Sequence, residues 1–354
     1  MKITRIRAWQ VFIPYEPPLG PYMVRTGPAT GARSLIVRVD TDEGLSGWGE
    51  GRGSFTPDPE ALLKSLHPAD LEGHQKLMVA AGIANGVRSA VDMALWDVVG
   101  KAAGIPLCRL LGGVLREEVD FCACMGLKDP EACADTARAY MERWGFRHLK
   151  TKAGRDVQED LRIAAAVMDV ARGRATLRPD ANAGYSPEAA DPLLRGMKDL
   201  GVTLFEDPCS IEHLDEMARF RREIGLPLAI NMGVRDAAAA LRILSAGAGD
   251  VLMPDFPVVG SLLGVRKVAA VAEAAGVPCL MHCAHDMGLK TAAVAHVAAA
   301  TPSFSGPNDT TYHGLADDIL TERLVFREGR IRVPMAPGLG VAVDEEKVTA
   351  YSVA

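Results

Sequence analysis

The chain has 354 residues, 48% of them hydrophobic and 24% charged, with a formal net charge of −6. That length suggests two units, or one barrel plus a smaller unit, with enough apolar sequence for a large core. The acidic balance argues against nucleic acid as the main partner, because no basic surplus is present to neutralise phosphates. An anionic small substrate stays open, since a site's local field can oppose the net charge. The seven cysteines form no Cys-x-x-Cys pair and read as buried thiols of a reducing compartment. The N-terminus lacks a signal-peptide apolar core, and no run reaches the roughly 18 apolar residues of a membrane span. These features predict a cytoplasmic protein with no membrane partner.

Residues 2–13 alternate like a strand, 33–39 form a second and 45–50 a third, with Asp40-Thr-Asp-Glu-Gly44 as the turn between the last two. Helical stretches follow near 58–66 and 85–103, the second stopped by Gly104-Ile-Pro106. Residues 1–115 therefore read as a small α+β unit. From 116 to 320, short Val/Leu/Ile/Ala-rich runs alternate with amphipathic helices, the pattern of parallel strands buried on both faces. Seven or eight such units fit a closed (β/α)7β barrel of the TIM type better than an open doubly wound sheet, because no Gly-x-Gly-x-x-Gly follows any strand. The tail, 321–354, contains a hairpin (323–326 with 330–333) expected to pack back on the N-terminal unit.

Polar residues recur at the C-terminal ends of consecutive strands: Lys150 and Lys152, then Asp180 and Asn182, Glu206, Asn231, Asp255 and His282. From Lys152 onward the intervals are 28, 26, 25, 24 and 27 residues, one βα unit each. In a barrel these strand ends form the active-site face. Asp180, Glu206 and Asn231 offer three hard oxygen donors, which suits Mg²⁺. A cation flanked by lysines is a site for a carboxylate. There the metal would stabilise the enediolate left when an α-proton leaves. Lys152, next to Lys150, reads as one base, and His282 oriented by Asp255 as a second on the opposite side. Asn182 and His285 are candidate substrate contacts. Each residue taken singly has an ordinary structural reading. Their common phase over six strands is what favours a site.

With these residues in view, the chain resembles the enolase superfamily of the mandelate racemase type over essentially its whole length. Ala94-Leu-Trp-Asp97, Gly100-Lys101, Leu110-Leu-Gly-Gly113 and Pro337-Gly-Leu-Gly340 are similar to that family's capping region. Lys150-Thr-Lys152 and the Asp255–His282 pair are similar to its paired lysines and its dyad. Asn231 as third ligand, with Glu206-Asp-Pro-Cys209 and His296-Val-Ala-Ala-Ala300, is most similar to the glucarate dehydratase subgroup. The resemblance implies a Mg²⁺-dependent hydro-lyase acting on an acid sugar, a capping domain, and a homo-oligomer, dimer or octamer. A racemase or epimerase using the same bases is the alternative, and a ligand-binding barrel without catalysis a more distant one. Departures are the short chain, Cys283-Ala-His285 without the amides of that subgroup, and Thr311 in place of a histidine after Asp309. Asp309 and these neighbours are expected at the far end of the sugar acid. Arg25, in the Pro/Gly-rich loop 14–31, is a candidate for a distal carboxylate, and Phe55 in the loop 51–58 a possible wall.

Overall fold

The computed structural model describes residues 1–24 and 27–353. Strands β1 (Ile3–Pro14), β2 (Gly31–Thr41) and β3 (Ser46–Gly51) form an antiparallel sheet with β2 in the middle. The middle strand carries Leu35-Ile36-Val37, buried on both faces, as suits a central strand. Helix α1 (Asn85–Ala103) covers the sheet and ends at Gly104, which takes the left-handed conformation (φ 69°) that closes a helix. Gly47, Gly49 and Gly51 alternate along β3 on the face that meets this helix. A Cβ at Gly49 would collide with the Ala90 carbonyl oxygen, so glycine allows the helix backbone to lie directly on the strand. The alternation sends the side chain of Glu50 to the other face, toward the barrel.

The expected helix at 58–66 is a single turn, Glu60–Leu63, and a further helix, Leu71–Ala80, lies where the sequence reading placed none. Pro59 delays the start of the first, Lys64 (ψ 135°) and Ser65 (φ 71°) leave the helical region and end it, and weak amphipathic patterning hid the second.

Seven parallel strands follow: β4 (Glu118–Cys124), β5 (His148–Lys152), β6 (Thr176–Asp180), β7 (Phe205–Glu206), β8 (Leu228–Ile230), β9 (Val251–Leu252) and β10 (Asn308–Thr310). They pair in chain order from β4 to β9, and β10 pairs with β4. The remaining position is the extended stretch 279–282. Leu280 N donates to Leu252 O (3.0 Å), His282 N to Pro254 O (3.0 Å) and Asp309 N to Met281 O (2.9 Å), which closes the ring. The chain is thus an α/β barrel of the (β/α)7β kind with an α+β cap.

Helices α2 (Pro130–Trp144), α3 (Val157–Ala171), α4 (Pro187–Asp199), α5 (Leu214–Glu223), α6 (Ala237–Ser245), α7 (Leu262–Ala274) and α8 (Gly288–Ala300) surround it. Asp129, Asp156, Ser186, Asp236 and Ser261 cap five of them by accepting first-turn N–H groups. Helix α8 has no side-chain cap of its own and is buried along all of its length.

The tail divides. The expected hairpin does not form among the described residues: only Arg327 and Arg330 bridge across the turn, and strand β11 (Arg330–Arg332) instead pairs antiparallel with the start of β4, Arg330 opposite Asp120, at the barrel base. Later residues do return to that unit. Leu339 N donates to Asp97 Oδ1 (2.8 Å) and Val353 N to Gln10 O (2.8 Å).

Replacing Gly49 by valine forces α1 off β3. Overpacking of this kind costs about 1–3 kcal/mol, so the melting temperature should fall by several degrees. A thermal scan with Tm unchanged would contradict the close-packing argument.

Candidate active site

Parallel register aligns the strand ends. Lys152 lies opposite Asp180, and Asp180 opposite Glu206, so three charged groups from three strands stand in one row at the barrel mouth. Asn231 follows the last residue of β8, and Asp255 and His282 follow the next two strand positions.

The floor is a cluster of buried charges. Lys150 Nζ lies 3.0 Å from Asp180 Oδ2, 2.9 Å from Glu206 Oε2 and 2.9 Å from Asp309 Oδ2, with the side chain 1% exposed. Burial alone would favour neutral lysine, but the three carboxylates outweigh it and hold the ammonium firmly charged. Arg178, two residues before Asp180 and on the same strand face, pairs with Glu206 (3.1 Å) and Asp309. Asp180 is held well below the usual carboxylate range: burial opposes this, and Lys150 and Lys152 override it. Lys152 Nζ donates to Asp180 Oδ2 (2.6 Å) and Asn182 Oδ1 (2.8 Å).

Two expectations are revised by this floor. Asp309 does not stand at the far end of a substrate. It is buried, and Lys150 and Arg178 draw it inward. Lys150 is a fixed counter-ion beneath the mouth. The sequence reading missed Arg178, although its two-residue spacing from Asp180 was the signal that it shares the same face.

Across the mouth, His282 Nδ1 lies 3.1 Å from Asp255 Oδ2. Asp255 is held low: burial would raise it, but Lys290 and the hydrogen bond with His282 prevail. Lys290, another residue the sequence reading passed over, lies 2.5 Å from Asp255 Oδ1 and 2.8 Å from Asp286 Oδ2.

A cavity of about 400 Å³ opens over these groups. Lys150, Lys152, Asn182, Asn231, His282 and His285 all line it. None of the described residues that line it is a carboxylate. The cap contributes Tyr22, Val24 and Arg52. Arg52 has no ion-pair partner among the described residues, whereas Arg25 lies outside the described residues. Phe55 is not among the residues lining this cavity. The Tyr15 hydroxyl bridges His285 Nδ1 (2.6 Å) and Thr311 Oγ1 (3.1 Å), building a neutral polar wall. His285 sits at φ +68°, uncommon for a residue with a side chain. Burial, then the nearby charges of Arg52 and Lys152, push its imidazole down to about 3, so it meets a ligand uncharged.

The oxygen donors fit a hard divalent cation. Glu206 Oε2 is buried within ion-pair reach of Lys150 and Arg178 yet has no aligned hydrogen bond. Asn231 Nδ2 donates to Met253 O (2.9 Å), which leaves Oδ1 uncommitted. Asp207 also lies within 4.8 Å of Asp180 and Glu206. Its two oxygens, however, accept the N–H groups of Asn231 (3.0 Å) and Met232 (3.0 Å), so it shapes the Asn231 turn. Glu206 Oε2 and Asn231 Oδ1 accept no hydrogen bond among the described residues, whereas Asp180 gives Oδ1 to Asn182 N (2.8 Å) and Oδ2 to Lys152 Nζ (2.6 Å). The three together make a hard-oxygen set that suits Mg²⁺, with the lysine contact to Asp180 the one a cation would replace.

The family described as "Enolase C-terminal domain-like" matches residues 132–347, and that described as "Mandelate racemase / muconate lactonizing enzyme, N-terminal domain" matches residues 9–112. The chain belongs to the enolase superfamily. A solved dipeptide epimerase from Enterococcus faecalis, of the same fold at 24% identity, is a complex with Mg and a dipeptide. A probable glucarate dehydratase from Streptomyces coelicolor is 32% identical, covering 89% of this chain and 83% of its own. An N-succinyl-L-Arg/Lys racemase from Bacillus cereus is 26% identical, covering 100% and 98%. A solved Streptomyces coelicolor enolase, described as a putative sugar isomerase, superposes with a TM-score of 0.90 at 32% identity, covering 99% and 96%. The relatives thus include both lyases and isomerases acting on small carboxylates. Among the described residues, no helix is long and apolar enough to cross a membrane.

Holding His285 neutral has a consequence for stability. Its folded pKa, about 3, lies below the unfolded value near 6.5, so the unfolded chain binds more protons between these limits. Stability is full above pH 6.5 and falls as the pH drops toward 3. His285→Asn, which tolerates positive φ, should recover about 2 kcal/mol of the acid loss at pH 4.5 relative to pH 7. Urea midpoints at the two pH values check this, and an unchanged difference between them would count against it.

Proposed function

We propose that this chain is a Mg²⁺-dependent dehydratase of a small hydroxylated carboxylic acid of the acid-sugar type. The observation that carries the reading is that Lys152 and His282, from opposite sides of the barrel, line one cavity together with Asn231, over the buried Asp180 and Glu206. Asp180, Glu206 and Asn231 would hold the metal. When bound, Mg²⁺ supplies positive charge against a substrate carboxylate, which acidifies the neighbouring C–H.

Lys152 or His282 then takes the α-proton. Asp255 accepts from His282 Nδ1, which leaves Nε2 for the cavity. Protonated His282 gives its proton to the β-hydroxyl, the C–O bond breaks, and water departs. The enol left behind tautomerises to a 2-keto-3-deoxy acid. His285 and Thr311, braced by the Tyr15 hydroxyl, offer neutral hydrogen-bond partners for the substrate's other hydroxyls, and Arg52 offers a charge for a distal polar or anionic group.

A second reading keeps the same groups. Two bases on opposite faces of one carbon also suit racemisation or epimerisation, the activity named for the Bacillus cereus relative.

Incubating acid sugars with enzyme and Mg²⁺ in D₂O tests the proposal. Formation of a keto acid is expected, abolished by EDTA and by Lys152→Ala with His282→Asn. Deuterium entering the α-carbon with no keto acid would rule out dehydration in favour of epimerisation. Arg52→Met should raise KM roughly 10- to 100-fold for a diacid, the worth of a charged hydrogen bond, and change kcat less. Equal effects on diacids and monoacids would remove Arg52 from the distal contact.

A further inference from the structure

Lys290 is in an improbable place. It lies in the first turn of α8, 1% exposed, where a cation opposes both solvation and the helix dipole. Two carboxylates hold it there, Asp255 and Asp286. It does not line the cavity, so it does not touch a ligand.

Its effect passes through Asp255. One oxygen of that carboxylate faces Lys290 at 2.5 Å, and the other meets His282 Nδ1 at 3.1 Å. The Lys290 contact is a close buried ion pair without an aligned hydrogen bond, and its attraction opposes rotation of the carboxylate about Cβ–Cγ, which biases the direction of the acceptor for His282. The helix is gripped in turn. Glu50, sent toward the barrel by the alternation of β3, accepts the N–H groups of Met287 (2.7 Å) and Lys290 (2.8 Å), and Ser34 Oγ donates to it (2.8 Å). A cap residue thereby does for α8 what the N-terminal serines and aspartates do for five of the other barrel helices.

We propose that Lys290 is a positioning residue for His282, locking the Asp255 carboxylate that aims the imidazole, and that Glu50 of the capping unit locks Lys290. Half of the proton-transfer machinery is then set from outside the barrel. The inference rests on the reading that His282 exchanges a substrate α-proton.

The test uses the Mg²⁺-loaded enzyme with Lys290→Met and Lys290→Arg. Because Lys290→Met leaves two buried carboxylates uncompensated, Lys290→Met with Asp286→Asn is made alongside and carries the comparison if the single variant does not fold. Two quantities are read. One is the imidazole N–H resonance of His282, assigned by its loss in His282→Asn. The other is α-proton exchange in D₂O from each of two epimeric acids, one presenting its proton to His282 and the other to Lys152.

Loss of Lys290 should broaden the His282 resonance and slow exchange on the His282 face roughly 10- to 100-fold, part of what a positioned general base contributes. The Lys152 face should hold within about twofold, and arginine should restore part of the loss. Equal slowing on both faces, or an unchanged resonance and unchanged exchange, would overturn the proposal. Wild-type enzyme that exchanges no α-proton in any acid would defeat the functional reading instead, and the resonance would still decide the role of Lys290.

Discussion

Everything at the barrel mouth depends on burying charge without leaving any of it unpaired. Asp180, Glu206 and Asp309 sit beside Lys150 and Arg178 in a floor shut off from water. Isolated, each would cost several kcal/mol to desolvate. Together they hold one another, leaving one excess negative charge that Lys152 meets at the edge. A divalent cation held by these groups would add positive charge at a mouth that already presents Lys152 and Arg52, which suits an incoming anion.

The same economy recurs across the mouth. Lys290, Asp255 and Asp286 form a second buried group, and its pairing faces the barrel on one side and the cap on the other. The cap is therefore more than a lid. Its glycine-striped strand brings Glu50 to the start of α8, while Arg52 and the Tyr22 segment reach the cavity from the same unit. Under the proposed function the barrel would supply the groups that move protons, and the cap groups that select the substrate.

Much of this was legible in the chain. Strand periodicity and a regular interval of about one βα unit placed Lys152, Asp180, Glu206, Asn231, Asp255 and His282 at one end of the barrel before any coordinates. Arg178 was readable by the same period-two rule and was overlooked. Lys290 and Glu50 were not readable. A lysine in an alanine-rich helix and a glutamate in a Gly-Trp-Gly-Glu-Gly strand look like surface charges until the partner element that buries them is known. Asp309 was read on the right strand but at the wrong depth, because two cations from other strands decide how far it turns inward.

The sequence by itself determined the alternation of strands and helices, the phase of the polar groups along it, and the oxygen-rich donor set. These are local properties, set by side-chain periodicity and by what each residue type can do chemically. Only the tertiary structure decided which charges neutralise which, that Asn231 has an oxygen to spare while Asp207 does not, and that Arg52 from the cap faces the cavity. Such pairings join residues tens to hundreds of positions apart. They follow from strand register and from how the cap packs on the barrel, and no window along the chain contains them.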